Sequence, residues 1–238
     1  MQKLLTTIAF DADDTLWHNE RHFAEAQQTF QYLLADYVDA DQADAVLLET
    51  EKRNIPLYGF GVKGFVLSML EAASTLTERQ APSLLNDSIL ALGRSMLNHP
   101  VELLPFVSQV LAELHGQYAL MLITKGDLMH QERKIAASGL ANLFDHVEIV
   151  SDKNVETYLR IFDNKGQGAR RALMVGNSMK SDILPALEAG AFGVHVPHDL
   201  TFALEYAEAP PAHPRFYAIK DLGELPAMIA GIDGNGLT

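Results

Sequence analysis

Four short stretches of this 238-residue sequence bring carboxylates, hydroxyls and lysines together directly after apolar runs. In an open α/β sheet, ligands bind outside the carboxyl ends of the strands, so polar residues that follow successive strands are expected to line one crevice. The residues of the four stretches are Asp11, Asp13 and Thr15; Thr124 and Lys125; Ser151 to Lys153; and Gly176 to Asp182. The spacing predicts that carboxylates, a hydroxyl and a lysine converge there.

The chemistry of such a group follows from its charges. Carboxylates placed this close repel one another, so the group implies a hard cation held by oxygen ligands, most simply Mg²⁺. A lysine beside that cation attracts an additional anion. Carboxylates, Mg²⁺, a hydroxyl and a lysine match phosphoryl transfer, in which catalysis is largely positioning and charge neutralisation.

The elements that must position these residues follow from the hydrophobic pattern. Strands are predicted at residues 4–10, 118–123, 147–150, 172–175, 194–196 and near 216–219. Helices are predicted at residues 20–38, 41–53, 61–75, 83–97, 105–114, 129–138, 155–162 and 182–189, with a last one from Asp221. Residues 231–238 are expected to fray.

Strands that alternate with helices indicate a parallel sheet covered on both faces. The first strand belongs to that sheet, so the helical block that follows it is an insertion. The predicted fold class is therefore α/β, a Rossmann-like parallel sheet formed by residues 1–17 and 100–238. Residues 18–99 form an inserted α-helical cap domain.

Composition limits the partners. The formal charge is −13 and there is no cysteine, which excludes disulfides, thiol nucleophiles and thiolate zinc sites. An acidic surface repels nucleic-acid phosphates and anionic membranes, so a small molecule is the expected partner. No apolar run approaches the ~18 residues that span a bilayer, which predicts a soluble cytoplasmic protein. No feature of the sequence predicts the oligomeric state.

The four stretches resemble, in order, the motifs of the haloacid dehalogenase-like (HAD) hydrolases, in their phosphatase type with a helical cap. "FDADDTLW" resembles the first motif, D-x-D-x-T, and "LIT" ending at Thr124 resembles the second. Lys153 in "SDKNVETYLRIF" resembles the third, and "VGNSMKSD" the fourth. One such motif is weak support, but four at successive predicted strand ends are specific, and they extend over essentially the whole chain.

The resemblance implies a role for each matching residue. Asp11 would attack phosphorus and form an aspartyl phosphate, while Asp13 would act as general acid and then as general base. Thr124 and Lys153 would hold the phosphoryl oxygens, with Lys125 beside them as a further phosphate-binding residue. Mg²⁺ would be bound by Asp11, the main-chain carbonyl of Asp13 and Asp182, with Asn177 at most holding a metal-bound water. The implied substrate is a small phosphorylated metabolite, a phosphate monoester.

Two positions depart from the family pattern. Asn177 stands where the fourth motif usually has Asp, which bears on metal affinity. Asn154 follows Lys153 where the family often has Pro, which leaves Lys165 as an alternative third-motif lysine.

Three other functions stay open. A dehalogenase would use the same nucleophile but has no alkoxide to protonate, so the presence of Asp13 argues against it. A phosphomutase would share every motif residue. A non-catalytic binding protein of the same fold stays open because of Asn177.

Other features have ordinary explanations. Residues 59–64 match G-x-G-x-x-G, but no strand pattern precedes them, and a flexible cap loop is a better interpretation than a dinucleotide site. On that interpretation Lys63, Tyr58 or Arg53 could reach substrate, although solvated surface is favoured. His18 and His22 have metal-compatible spacing without the H-E-x-x-H order, which favours surface or hinge histidines. Trp17 is expected to pack at the domain junction.

Overall fold

The computed structural model describes residues 3–235, which divide into two compact units. The first unit, called the core unit, holds residues 3–18, 101–125 and 132–235. The second, called the helical unit, holds residues 19–100 and 126–131. Among the described residues, no helix is both long and apolar enough to cross a membrane.

The core unit is built on one six-stranded sheet in which every neighbouring pair of strands is parallel. The strands are β1 (Thr7–Phe10), β2 (Ala119–Lys125), β3 (His146–Val150), β4 (Ala172–Gly176), β5 (Phe192–His195) and β6 (Phe216–Ala218). Their spatial order is β3-β2-β1-β4-β5-β6, which puts β1 between β2 and β4. The first, second and fourth motifs therefore lie at the ends of three adjacent strands.

Nine α-helices accompany the sheet in residues 3–235. They are α1 (Glu20–Leu33), α2 (Ala40–Tyr58), α3 (Val62–Leu76), α4 (Ser83–Met96), α5 (Val107–Leu114), α6 (Leu128–Ser138), α7 (Val155–Lys165), α8 (Leu184–Glu188) and α9 (Leu225–Asn235).

Two apolar layers enclose the sheet, as expected for a strand whose successive side chains point to opposite faces. On β1, Ile8 and Phe10 join one buried cluster and Ala9 joins the other. The second cluster also contains Tyr158 and Phe162 of α7. The buried sheet thus fixes where each strand ends, and so where the polar residues of the motifs begin.

Helices α1 to α4 form the helical unit around their own core. Phe30, Leu47, Met69 and Ile89, one from each helix, are buried together there. The assignment of residues 18–99 as a cap domain stays a prediction.

Several predicted bounds were wrong. Strand β2 continues to Lys125, so Thr124 and Lys125 end the strand instead of following it. Helix α1 ends at Leu33, short of the predicted residue 38, and α2 continues past the predicted end at Arg53 to Tyr58.

The predicted fraying of the last eight residues was wrong for residues 231–235, which are helical in α9. Asp233 anchors that helix because it accepts hydrogen bonds from the Leu5 backbone N–H and the Tyr118 hydroxyl, both at 2.8 Å. Residues 236–238 lie outside the described part of the chain.

Candidate active site

Two buried carboxylates share one buried ammonium at the centre of the core unit's motif residues. Asp11 follows β1 directly, and its backbone N–H still donates to the Val175 carbonyl of β4 at 2.8 Å. The Lys153 Nζ donates to Oδ1 of Asp11 and, at 2.7 Å, to Oδ1 of Asp182. All three residues are at most 6% exposed. The sequence prediction that these groups converge is consistent with this geometry.

The electrostatics of this triad leave a surplus of negative charge. Burial raises the pKa of Asp11 to about 7, and the neighbouring Asp182 adds to the rise while Lys153 opposes it. Burial alone would lower the pKa of Lys153, but the two carboxylates outweigh it, and this pKa lies above its usual range. Oxygen donors with uncompensated negative charge suit a hard divalent cation. Asp11 and Asp182 therefore fit as cation ligands.

Asp13 is held by two donors that sequence reasoning did not assign to it. The Lys134 Nζ, on α6, lies 2.6 and 2.7 Å from the two carboxylate oxygens. The Trp17 indole N–H donates to Oδ1 at 2.7 Å, so this buried tryptophan orients a site carboxylate. Trp17 lies four residues along the same motif, whereas Lys134 lies 121 residues away and belongs to no motif.

Asn177 lies beside Thr15, which stands between it and Asp11. The Thr15 hydroxyl oxygen is 3.3 Å from Oδ2 of Asp11 and 3.3 Å from Oδ1 of Asn177. The Asn177 backbone N–H donates to that hydroxyl at 3.0 Å. Thr15 thus ties the loop after β1 to the loop after β4.

The segment after β4 forms one π-helical turn, residues Met179–Ile183, which leads into α8. The helix predicted at residues 182–189 therefore begins earlier than predicted, and its first turn is π-helical. The Ser178 N–H donates to Oδ2 of Asp182 at 2.9 Å and holds the carboxylate back over the end of the strand. A Cβ at Gly176 would lie 2.2 to 2.5 Å from side-chain atoms of Asp182, so only glycine fits there.

Lys125 is engaged by a carboxylate outside the motifs. Its Nζ donates to Oε1 of Glu205 at 2.6 Å and to the Ser181 hydroxyl at 2.8 Å. Glu205 also accepts hydrogen bonds from the hydroxyls of Ser178 and Ser181. Burial lowers the pKa of Lys125, although Glu205 opposes the shift. Burial would raise the pKa of Glu205, but Lys125 and the two serines lower it.

Two further buried residues belong to β2 and α7. Thr124 is 1% exposed at the penultimate position of β2. The Tyr158 hydroxyl, on α7, donates to the Ser181 carbonyl at 3.0 Å, and burial raises the pKa of this tyrosine. Sequence reasoning missed both Tyr158, which lies in the third-motif stretch but was assigned no role there, and Glu205, which lies outside all four motifs.

A family model settles the relationship of the chain to known proteins. The model of haloacid dehalogenase-like hydrolases matches residues 5–190. The chain belongs to the haloacid dehalogenase-like hydrolases. This confirms the family and the hydrolase class that the motifs indicated, and the parallel sheet confirms the predicted fold class.

Two curated relatives match about half of this HAD-like hydrolase. N-acylneuraminate-9-phosphatase of Rattus norvegicus is 27% identical over 132 residues, which cover 53% of this chain and 52% of the relative. The mouse enzyme of the same name is 28% identical over a segment of the same length. The match to these curated relatives spans about half of their length.

Solved structures match over nearly the whole chain. A haloacid dehalogenase-like family hydrolase from Xanthomonas campestris is 37% identical, with a TM-score of 0.88, covering 98% of this chain and 94% of that one. The HAD-hydrolase YfnB of Bacillus subtilis, bound to magnesium, has a TM-score of 0.65 at 20% identity, covering 95% of this chain and 99% of that one. The second likeness concerns the fold alone.

The predicted roles of individual residues stay predictions for this HAD-like hydrolase. The structure brings Asp11, Lys153 and Asp182 into direct contact, with Thr15 between Asp11 and Asn177. The alternative third-motif residue, Lys165, is the last residue of α7, whereas Lys153 contacts both carboxylates.

Proposed function

We propose that this HAD-like hydrolase cleaves a small organic phosphate monoester through an aspartyl-phosphate intermediate on Asp11. The observation that carries the proposal is the Asp11–Lys153–Asp182 triad, with Asp13 two residues from the nucleophile and held by its own lysine. The phosphatase name of the rat relative supports the same reaction class, within the half of that protein that matches.

Mg²⁺ is the cofactor that we propose. Asp11, Asp182 and the main-chain carbonyl of Asp13 would hold it, with Asn177 reaching it at most through a water. When bound, it would neutralise the negative charge of the carboxylates and of the phosphoryl group. The surplus negative charge at the triad and the magnesium bound to the YfnB structure support this choice.

The first step forms a bond between a carboxylate oxygen of Asp11 and phosphorus, and it breaks the ester P–O bond. The departing alkoxide takes a proton from Asp13. Lys153, already in contact with Asp11, offsets negative charge on the phosphoryl oxygens, and Thr124 is proposed to donate to one of them.

The second step regenerates the enzyme. Asp13, now ionised, takes a proton from a water whose oxygen attacks phosphorus, and the bond from phosphorus to Asp11 breaks to release inorganic phosphate. Lys134 and Trp17 stabilise the ionised form of Asp13 that this step requires, since both donate to its oxygens.

The substrate is proposed to be a small metabolite, and the enzyme is proposed to act on it in the cytoplasm. A net charge of −13 disfavours nucleic acid and anionic membranes as partners. Lys125 is proposed to bind the phosphate side of the substrate, in exchange with Glu205, which holds it in this structure.

Hydrolysis of an aryl phosphate, with Mg²⁺ and with EDTA, tests the proposal. Wild-type protein is expected to turn over only with Mg²⁺, and Asp11→Asn to lose hydrolysis, because an amide is a very poor nucleophile. Asp87→Asn, at an exposed position of α4, is the matched control. Mass spectrometry of acid-quenched wild-type reactions should find the phosphoryl group on Asp11.

Other outcomes point to the other functions. Near-normal turnover by Asp11→Asn contradicts the mechanism. Chloride release from a 2-chloro acid would indicate a dehalogenase, and an isomerised sugar phosphate a phosphomutase. Wild-type protein that is inert towards a panel of phosphomonoesters at every Mg²⁺ concentration would indicate a binding protein.

A further inference from the structure

The helical unit contains a cluster of metal-ligating side chains that the hydrolase mechanism does not use. It consists of His22, Glu25 and His99. One ligand atom from each residue lies within 4.8 Å of the other two. The two imidazole rings are stacked with centroids 4.2 Å apart, and the His22 Nδ1 lies 3.9 Å from Oε2 of Glu25.

The residues come from two distant parts of the sequence. His22 and Glu25 lie one turn apart on α1, while His99 lies three residues beyond the end of α4. The i, i+3 spacing on a helix puts the first two side chains on one face. The fold then brings His99 onto that face, which the sequence pattern, pairing His22 with His18, did not predict.

We propose that His22, Glu25 and His99 form a second metal site, selective for a borderline transition cation of the Zn²⁺ or Ni²⁺ type. Two imidazole nitrogens and one carboxylate are the ligands that such cations take, whereas Mg²⁺ prefers oxygen ligands throughout. The site is thus chemically distinct from the carboxylate triad of the core unit.

The dimensions of the cluster suit this cation. Zinc bonds of about 2.0 to 2.2 Å place pairs of ligand atoms roughly 3 to 4 Å apart. The cluster must therefore contract by up to about 1 to 2 Å at its widest pair. The Glu25 side chain is 66% exposed and the His22 side chain only 13%, so Glu25 is free to move towards His22. A metal lies in the plane of an imidazole ring, so the exposed His99 must also turn out of its stacked arrangement to direct a nitrogen at the same ion.

The position along the chain indicates what the metal would do. The helical unit's main segment begins at Asn19 and ends at Pro100, so His22 and His99 lie next to its two ends. A cation bound to both would link the first turn of α1 to the segment after α4. Such a link joins residues 77 positions apart in the sequence, and because the cation binds the folded form alone it raises stability by mass action.

Calorimetric titration of EDTA-stripped full-length protein with Zn²⁺ tests the proposal. We expect one high-affinity Zn²⁺ site in wild-type protein that is lost in His22→Gln/His99→Gln and kept in His115→Gln, an exposed histidine of the core unit. Weaker Zn²⁺ binding at the carboxylate triad should be the same in all of these proteins. Glu25→Gln is expected to raise the Zn²⁺ dissociation constant by about tenfold or more, since a charged ligand becomes a neutral one. Zn²⁺ should raise the Tm of wild-type protein by more than it raises that of the double variant.

A spectroscopic measurement and a single variant that keeps the fold make the test decisive. Co²⁺ substituted for Zn²⁺ reports nitrogen ligation through its visible absorption, which should vanish in either single histidine variant. Glu25→Gln alters an exposed side chain and preserves the fold, so it tests the site even if the double variant unfolds. Equal Zn²⁺ stoichiometry and affinity in wild-type protein and all three ligand variants would overturn the proposal, as would no Zn²⁺ site in wild-type protein. Hydrolytic activity enters none of these measurements.

Discussion

Asp13 owes its orientation to residues that carry no chemistry themselves. Lys134 contacts both of its oxygens and Trp17 donates to one, so the carboxylate is fixed before any substrate arrives. A fixed acid–base group accelerates the reaction more than a mobile one, because a misplaced group transfers its proton more slowly. We therefore regard Lys134 and Trp17 as positioning residues.

Lys134→Met is expected to lower kcat by roughly tenfold or more. This loss is smaller than the factor of about 10² to 10⁴ that general acid–base catalysis contributes in full, because Asp13 itself remains. Alkyl phosphates should lose more than aryl phosphates, since poor leaving groups depend most on proton donation. Steady-state kinetics on one substrate of each kind measure this, with Lys52→Met, an exposed lysine of α2, as control. Equal losses on both substrates, or no gain on restoring charge with Lys134→Arg, would contradict the assignment.

We expect Asn177 to influence how strongly the site attracts a cation. Its amide carries no charge, and Thr15 separates it from Asp11. Asn177→Asp would add a negative charge near the triad, worth a few kcal/mol at most at ~4 Å after protein screening. We expect the variant to need less Mg²⁺ for half-maximal activity, which a titration of Mg²⁺ against initial rate measures. Identical titrations in both proteins would place Asn177 outside the influence of the metal.

At the scale of elements, the end of β4 is the tightest constraint in the site. Gly176→Ala would push a methyl group into the Asp182 side chain, which is held by Ser178 and Lys153. The expected loss is about 1 to 3 kcal/mol of unfolding free energy, as for other overpacked sites. A lower apparent affinity for Mg²⁺ should accompany it.

Urea unfolding and Mg²⁺ titration measure both effects. Gly231→Ala is the matched control, because its new methyl group would meet no atom within 4 Å and lies inside α9. That control should be neutral or slightly stabilising. Stability of Gly176→Ala equal to that of wild-type protein would show that Asp182 can leave its position without cost.

The sequence predicted the elements whose pattern is local. All six strands and the four helices after β1 were found, because apolar periodicity and strand-end polar residues are properties of short windows. The bounds were weaker. Strand β2 was ended at residue 123 because Thr124 and Lys125 are polar, yet both remain paired with β3. The π-helical turn at Met179–Ile183 is accompanied by the hydrogen bond from the Ser178 N–H to Asp182, and apolar periodicity predicts neither feature.

The site was predictable only where its residues lie in motifs. Asp11, Lys153 and Asp182 meet because the order of parallel strands dictates it. Glu205 and Lys134 contact Lys125 and Asp13 from segments 80 and 121 residues away, and they were missed because neither residue lies in a motif at a strand end. Such contacts depend on how helices and loops pack on the sheet, and single-sequence patterns contain no record of that packing.

At the scale of the whole molecule, the active site opposes folding. Enclosing Asp11 and Asp182 around one ammonium removes two carboxylates from water and compensates only one of them. A protein that binds a cation there gains stability in proportion to the logarithm of cation concentration. Stability in the absence of metal should therefore depend on the protonation of Asp11.

The pKa of Asp11 is about 7 in the folded protein, against 3.8 for an exposed aspartate, because of burial and then Asp182. Between these values the folded state holds a proton that the unfolded state has released, so metal-free stability falls with rising pH, by about 1.4 kcal/mol per pH unit inside that window. Asp11→Asn lacks this slope, so with EDTA it should be about as stable as wild-type protein near pH 5 and more stable by about 2.6 kcal/mol at pH 8. Urea unfolding of both proteins at the two pH values measures the difference. Burial also raises the pKa of Glu51 to about 7, but Glu51 contributes the same pH dependence to both proteins, so its effect cancels in the difference.

Asp87→Asn should follow wild-type protein at both pH values. A stability difference between Asp11→Asn and wild-type protein that is the same at pH 5 and pH 8 would mean that Asp11 folds already ionised, and that Lys153 alone compensates the two carboxylates.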